Sequence, residues 1–136
     1  MTQKDKELLL KDLSARLPYG VIVRHADCII DDNYNETGEF HYTKGYLYDI
    51  CRMDDMTTTI IESEGESEGY EHICLLERTI SYLRPMSSMT DEERKYFQKL
   101  AFPYDFVDAL NKHHFDYRGL IEKGLALEAP EGMYKH

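Results

Sequence analysis

The sequence predicts an α+β fold with an N-terminal helix, a small antiparallel β-sheet or SH3-like barrel, and two to three C-terminal helices. Three observations support this prediction. Leucines recur at helical spacing in residues 1–20, β-branched runs alternate with turn signals in residues 21–83, and helical periodicity returns in residues 84–136. We expect these parts to form a single domain over residues 1–136, because no linker separates them.

The first predicted helix covers residues 3–16. Thr2 can cap its start, and Pro18 ends it because proline cannot continue a helix. Leu9, Leu13 and Leu17 lie four residues apart and form its apolar face. Charged residues outside this face are expected in water: Lys4, Lys6, Lys11 and Asp12.

The middle of the chain predicts five or six short strands at the spacing of turns. They are expected where β-branched and aromatic residues cluster, over residues 21–26, 28–30, 57–61, 70–76 and 79–83. Residues 40–52 leave two alternatives, one long strand or a hairpin that turns at Lys44-Gly45. The connecting turns are polar, over residues 31–38, Asp54-Asp55 and the acidic stretch 62–69.

Helical signals return after residue 84. Thr90 and Glu93 form a capping box, in which each side chain bonds the backbone of the other residue. Asp105 can cap a second helix. Asp116 can cap a third short helix over residues 117–123, which a glycine then ends.

The apolar positions of these elements predict one core, closed by helices that pack on the sheet. A chain of 136 residues can bury such a core without disulfides. The predicted members are Leu9, Leu13, Leu17, Val21, Val23, Ile29, Leu47, Ile50, Ile60, Ile73, Leu75, Ile80, Leu83, Phe97, Leu100, Phe106, Val107, Leu110, Leu120 and Ile121.

Negative charge is concentrated in the middle of the chain. The formal net charge is −10, and residues 21–83 alone hold 4 basic and 14 acidic side chains. Such a segment repels nucleic acid and anionic membranes and attracts a basic protein. The alternative is that these acids only keep the protein in solution. The same segment holds tyrosines that fit either a binding surface or a small core: Tyr34, Tyr42, Tyr46, Tyr48 and Tyr70.

Two histidines and two cysteines raise the question of zinc. His25, Cys28, His72 and Cys74 supply four soft ligands, which is the number that a structural zinc ion needs. His72 and Cys74 share a strand face, whereas His25 and Cys28 point apart unless a bend intervenes. The spacing resembles neither a zinc finger nor a ribbon, so we predict no metal and leave open whether the four converge.

Other candidate chemistry is weaker. His113 and His114, with Asp116 nearby, could perform acid–base catalysis, but adjacent helical residues point about 100° apart. Asp27, Asp31 and Asp32 lack the spacing of a calcium loop and favour a solvated turn. The phosphate-binding motifs and the nucleophile elbow are absent. We therefore assign no catalytic, cofactor-binding or metal-ligating residue.

The expected location is the cytoplasm. The cysteines Cys28, Cys51 and Cys74 are odd in number and far apart, unlike a disulfide framework. The first residues alternate charge with leucine and lack the apolar run of a signal peptide. No stretch approaches the roughly 20 apolar residues of a membrane span.

Three stretches carry a resemblance: residues 17–23 (LPYGVIV), 83–90 (LRPMSSMT) and 113–134 (HHFDYRGLIEKGLALEAPEGMY). They resemble a group of short uncharacterised proteins of gut anaerobic bacteria, carried by their prophages and mobile elements. The resemblance covers both ends and little of the middle. It implies no activity, and suggests that the ends are scaffold and the middle faces a partner.

These observations predict a non-catalytic protein-binding module of phage or mobile-element origin, acting on a basic host or phage protein through the acidic, tyrosine-rich middle. One alternative is a nucleic-acid mimic that inhibits a DNA- or RNA-processing enzyme. It would array carboxylates along one face: Asp27, Asp31, Asp32, Glu62, Glu64, Glu66 and Glu68. Another alternative is a small hydrolase-like enzyme that uses His113 or His114. No direct contact with nucleic acid or membrane is expected, and the oligomeric state is left open.

Overall fold

A computed structural model describes residues 1–63 and 71–134. The acidic stretch beyond residue 63, together with Tyr70, lies outside the described residues. The described chain confirms the α+β class, with an N-terminal helix, a mostly antiparallel sheet and C-terminal helices.

The N-terminal helix, α1 (Gln3–Arg16), begins at the predicted cap. The Thr2 hydroxyl accepts from the backbone N–H of Asp5, and the Asp5 carboxylate accepts from that of Thr2. Its leucine face packs on the sheet, where Leu9 and Leu13 are fully buried. A proline-containing 3₁₀ turn (Leu17–Tyr19) ends the helix.

The prediction that Asp12 faces water is wrong, because two arginines bind its carboxylate in the interior. Asp12 is fully buried, and its carboxylate lies 2.8 Å from Arg16 Nε and 2.9 Å from Arg118 Nη1. Arg16 is also fully buried and donates to the backbone carbonyl of Phe115 at 2.6 Å. A charged network therefore ties α1 to the C-terminal part of the chain.

The sheet is open rather than a closed barrel. Its strands are β1 (Ile22–Ile30), β2 (Glu36–Met53), β3 (Met56–Ser63), β4 (Glu71–Leu75), β5 (Thr79–Pro85), β6 (Phe115–Asp116) and β7 (Ala126–Glu128). They follow the order β4-β3-β2-β1-β5-β6, with β7 paired to β5. Among the described strands, only β6 and β7 run parallel to their neighbour β5. The SH3-like barrel is therefore wrong for the described strands, since no ladder among them joins β4 to β5.

Of the two alternatives for residues 40–52, the long strand is correct. Lys44 and Gly45 pair with Arg24 and Val23 inside the ladder, so no turn forms there. A bulge at Tyr48 shifts the register between β2 and β3. The predicted turn at Asp54-Asp55 is confirmed, with Asp54 in the left-handed region at φ 52°.

Two C-terminal helices form, α2 (Asp91–Gln98) and α3 (Pro103–Lys112). The capping box of Thr90 is confirmed, whereas α3 begins at Pro103 and not after Asp105. The third predicted helix is wrong. The Asp116 carboxylate instead accepts from the backbone N–H groups of Leu120 and Ile121. These bonds close a compact turn between Asp116 and Ile121.

The core divides into two clusters. The larger lies between α1 and the sheet, and the smaller surrounds Phe97 between α2, α3 and β6. Four predicted core residues are wrong because they stay exposed, although the Phe106 ring packs edge-on against Phe97: Ile29, Ile73, Phe106 and Val107. Ile73 is 59% exposed, because alternation along β4 turns it away from α1.

Candidate functional site

The paired strands β1 and β2 extend past their neighbours. Strand β5 pairs with β1 only at Val23–His25, and β3 pairs with β2 only from Gly45 onward. We call residues 26–42 the β1–β2 ribbon. In the described chain, the ladder partners of these residues all lie within the ribbon itself. A two-stranded ribbon is marginally stable in water by itself, so contacts beyond its own ladder matter.

The tip of the ribbon is ordered by its own polar groups. Asp31 Oδ1 accepts from the backbone N–H groups of Asn33 and Asn35, each at 2.9 Å. The Thr37 hydroxyl donates to the carbonyl of Ile29 at 2.7 Å. Tyr34 occupies the left-handed region at φ 64°, and 89% of its surface is exposed. The turn thus holds an aromatic ring out into solvent.

Apolar side chains cover much of the ribbon and remain in water. Ile29, Ile30, Phe40 and Tyr42 are all exposed. The rings of Phe40 and Tyr42 stack with their centroids 6.4 Å apart. Exposed apolar groups gathered on one projecting element are typical of a protein-binding surface.

The ribbon is also acidic. Its residues include no lysine or arginine, and its five carboxylates are Asp27, Asp31, Asp32, Glu36 and Glu39. Part of the predicted negative charge is therefore concentrated on this projecting element. Of the other acids proposed to form an array, Glu62 lies on β3, and Glu64, Glu66 and Glu68 fall outside the described residues.

A groove of about 280 Å³ lies at the root of the ribbon. Phe40, Tyr42, Ile80 and Leu125 contribute its apolar lining. The Arg24 guanidinium lies over the Tyr42 ring, 4.2 Å from its centroid. Within the described chain no hydrogen-bond acceptor lies within reach of the buried Arg24 Nε.

Four described tyrosines of the middle lie at the surface. Tyr42, Tyr46 and Tyr48 are exposed along β2, and Tyr34 is exposed in the turn that precedes this strand. Their placement favours the predicted binding surface over the predicted small core, while Tyr70 lies outside the described residues.

The four side chains whose convergence was left open, His25, Cys28, His72 and Cys74, converge only in part. His25 Nδ1 and His72 Nδ1 lie 2.8 Å apart, because the sheet curls and brings β4 beside β1. Cys74 donates its thiol to the Ala26 carbonyl, and Cys28 donates to that of Ile29. Over residues 1–63 and 71–134, no three His, Cys, Asp or Glu side chains are grouped to hold a metal ion.

The two histidines instead belong to a chain of polar side chains. His72 Nε2 lies 2.8 Å from Asp27 Oδ2, and His25 Nε2 lies 2.6 Å from the Thr59 hydroxyl. That hydroxyl lies 2.7 Å from the hydroxyl of Thr79. Burial, with a smaller contribution from His72, lowers the pKa of His25 to about 4. His25 is therefore neutral near pH 7.

His113 and His114 point into different surroundings. His114 is buried, with φ 64°, and its ring stacks on Tyr134 at 3.7 Å between centroids. His113 packs edge-on against Tyr96 and Phe97, with Nδ1 4.0 Å from Glu93 Oε2. Neither ring lines the groove beside the ribbon or any of three further clefts on the described chain.

Comparison of the chain with protein-family models, with curated proteins and with solved structures finds no match. None of the helices in the described parts of the chain combines the length and the apolar character needed to cross a membrane.

Proposed function

We propose that the protein is a non-catalytic binding module whose β1–β2 ribbon docks on a basic protein. The observation that carries this proposal is the ribbon itself. It projects beyond the neighbouring ladders, exposes stacked aromatic rings, and holds five carboxylates without a lysine or arginine.

The exposed apolar groups supply the affinity in this proposal. Phe40, Tyr42 and Tyr34 are rigid aromatic side chains, which dominate the energetics of protein interfaces. The groove at the root of the ribbon can take an apolar side chain of the partner.

The carboxylates select the partner. Asp32, Glu36 and Glu39 are exposed on the same ribbon as the aromatic groups, and Glu36 also lies 3.8 Å from Arg78 Nη2. They would meet lysines and arginines on the partner and speed its approach, an effect that salt screens. The predicted phage or mobile-element origin remains part of this proposal, as does a cytoplasmic location.

The test is affinity capture from a bacterial lysate, with identification of the retained proteins by mass spectrometry. The double variant Phe40→Ser/Tyr42→Ser removes the stacked pair on the ribbon. Its matched control is Phe102→Ser/Tyr104→Ser, a stacked and exposed pair with centroids 5.4 Å apart near the start of α3.

We expect a basic protein to be retained by the wild type and the control, lost from the ribbon variant, and weakened by high salt. Equal capture by both double variants would contradict the proposal. So would the failure of the wild type to retain any protein at low salt.

The nucleic-acid mimic stays a second candidate with weaker support. Three ribbon carboxylates already have internal partners: Asp27 in His72, Asp31 in the backbone of the tip, and Glu36 in Arg78 at 3.8 Å. Those carboxylates are less available to imitate phosphates. A hydrolase based on His113 or His114 gains no support from the described clefts, which neither ring lines.

A further inference from the structure

A chain of five hydrogen bonds runs from the root of the ribbon into the interior. It connects Asp27, His72, His25, Thr59 and Thr79 in that order and ends at the backbone carbonyl of Leu75. Each bond needs one proton between its two heavy atoms. Two hydroxyls and two neutral imidazoles supply four protons in total, and a carboxylate supplies none. The chain is therefore one proton short when its members are in their ordinary neutral and anionic forms.

The hydrogen bond to the Leu75 carbonyl determines which group donates and which accepts in every other bond of the chain. A carbonyl oxygen only accepts, so the Thr79 hydroxyl donates to Leu75. The Thr59 hydroxyl must then donate to Thr79, and His25 Nε2–H must donate to Thr59. His25 Nδ1 is left to accept from His72 Nδ1–H, unless His25 itself is charged.

The fifth proton belongs on His72. His25 is completely buried, which disfavours a charge on its ring. His72 is partly exposed and has Asp27 at its Nε2, so an imidazolium there gains an adjacent carboxylate. Imidazole is also more basic than a carboxyl group. His72 then donates from both ring nitrogens, to His25 and to Asp27.

We propose that Asp27 and His72 form a proton-dependent latch that fastens the β1–β2 ribbon to β4. Without the fifth proton, His72 can donate from only one ring nitrogen, so one of its two links to β1, to Asp27 or to His25, is lost. The ribbon root is then held less firmly. The regulatory meaning of the latch rests on the proposed function of the ribbon, whereas its chemistry can be measured on the protein alone.

Other titratable groups face the latch and are part of its electrostatics. His41 stands opposite Asp27 in the β1–β2 ladder. Cys74 follows on β4, and Arg78 lies in the 3₁₀ turn that leads to β5. The test must therefore distinguish proton loss at His72 from charge changes elsewhere.

The variant Asp27→Asn makes that distinction. An amide nitrogen can donate to a neutral His72 Nε2, so the variant supplies the fifth proton itself. We expect the ribbon of Asp27→Asn to stay latched with both imidazoles neutral. The matched control is Asp32→Asn, which removes the same charge from the ribbon tip and leaves the chain intact.

The measurement is NMR on ¹⁵N-labelled protein, titrated between about pH 5 and pH 9, where imidazoles change charge. We expect two protonated ring nitrogens on His72 and one, Nε2, on His25 while the latch is closed. As His72 loses a proton, exchange of the amides of residues 26–30 should speed up by about tenfold beyond its intrinsic pH dependence, the loss of one net hydrogen bond. Asp32→Asn should behave like the wild type, and Asp27→Asn should show no such step.

Three results would overturn the latch: a singly protonated His72 in the closed wild type, no exchange step as His72 titrates, or the same step in Asp27→Asn. None of these measurements involves a partner. Failure to capture a basic protein would therefore count against the proposed function and leave the latch standing.

Discussion

Arg84 and Glu93 form a two-point ion pair that joins β5 to the start of α2. Arg84 Nη1 lies 2.8 Å from Glu93 Oε2, and Nη2 lies 2.7 Å from Oε1. The guanidinium also lies over the Phe115 ring, 4.2 Å from its centroid. Hydrogen bonds from Arg84, with a further one from the Thr90 backbone, lower the pKa of Glu93 to about 2, against the opposing effect of burial.

This ion pair predicts a loss of stability in acid. The pKa of Glu93 is lower in the folded than in the unfolded chain, where it is 4.5. Its contribution is therefore complete above pH 4.5 and disappears as the pH falls towards 2. We expect Glu93→Gln to lower the free energy of unfolding by about 2 kcal/mol at pH 7, and by little at pH 2. Urea titrations across this range measure it, with Glu92→Gln as control, and parallel curves for the two variants would contradict it.

His25 predicts a second pH dependence at a higher range. Its folded pKa of about 4 lies below the ordinary value of 6.5. Stability is thus lost as the pH falls from 6.5 towards 4, because the unfolded chain takes up a proton that the folded chain does not. We expect His25→Gln to be less stable than wild type at pH 7 and to show a flatter dependence between pH 6.5 and 4. Replacement of the exposed His41 by glutamine should leave that dependence unchanged.

Asp12 and Arg16 form a fully buried ion pair, so we predict that removing one partner strongly destabilises the fold. Asp12→Ala leaves the fully buried Arg16 without its carboxylate. We expect the free energy of unfolding to fall by about 3–5 kcal/mol, which is typical for an uncompensated buried charge. Glu7→Ala, on the exposed side of α1, should change it by less than about 0.5 kcal/mol. Comparable losses in both variants would show that the network does not stabilise the helix.

The hydroxyl of Tyr134 bonds two backbone groups, so we predict that its removal lowers the free energy of unfolding. Its oxygen accepts from the Ile22 backbone N–H at 2.9 Å and donates to the Tyr82 carbonyl at 2.6 Å. Burial raises the pKa of Tyr134, so the phenol stays protonated in the fold and stability declines as the pH rises above 10. Tyr134→Phe strands both backbone groups and should cost about 2 kcal/mol. The exposed Tyr104→Phe is the control, and equal melting temperatures would contradict the prediction.

Local signals in the sequence predicted local structure well. The cap at Thr2, the capping box at Thr90, the leucine face of α1 and most strands follow from neighbouring residues alone. The failures have two causes. Asp12 is buried because Arg118, distant in sequence, reaches it. The third helix is replaced by a local turn, because the Asp116 carboxylate accepts from the backbone N–H groups of Leu120 and Ile121.

The sequence predicted which residue types form the candidate site but not the geometry of the ribbon that carries them. Acidic residues and tyrosines in the middle indicated a binding surface, yet the ribbon depends on where β3 and β5 stop pairing. The common strand face of His72 and Cys74 followed from alternation. The contact of His72 with His25 requires the curl of the sheet, for which the sequence offers no local signal.

The bond between Arg118 and Asp12 joins residues 106 positions apart. Contacts between residues so far apart in sequence raise the contact order of a fold. The chain must lose the conformational entropy of closing this long loop before the contact can stabilise the folded state. The N-terminal helix therefore gains its full stability late, when the chain beyond α3 docks. We expect slow, cooperative folding in which α1 and the C-terminal turn become protected in the same kinetic step.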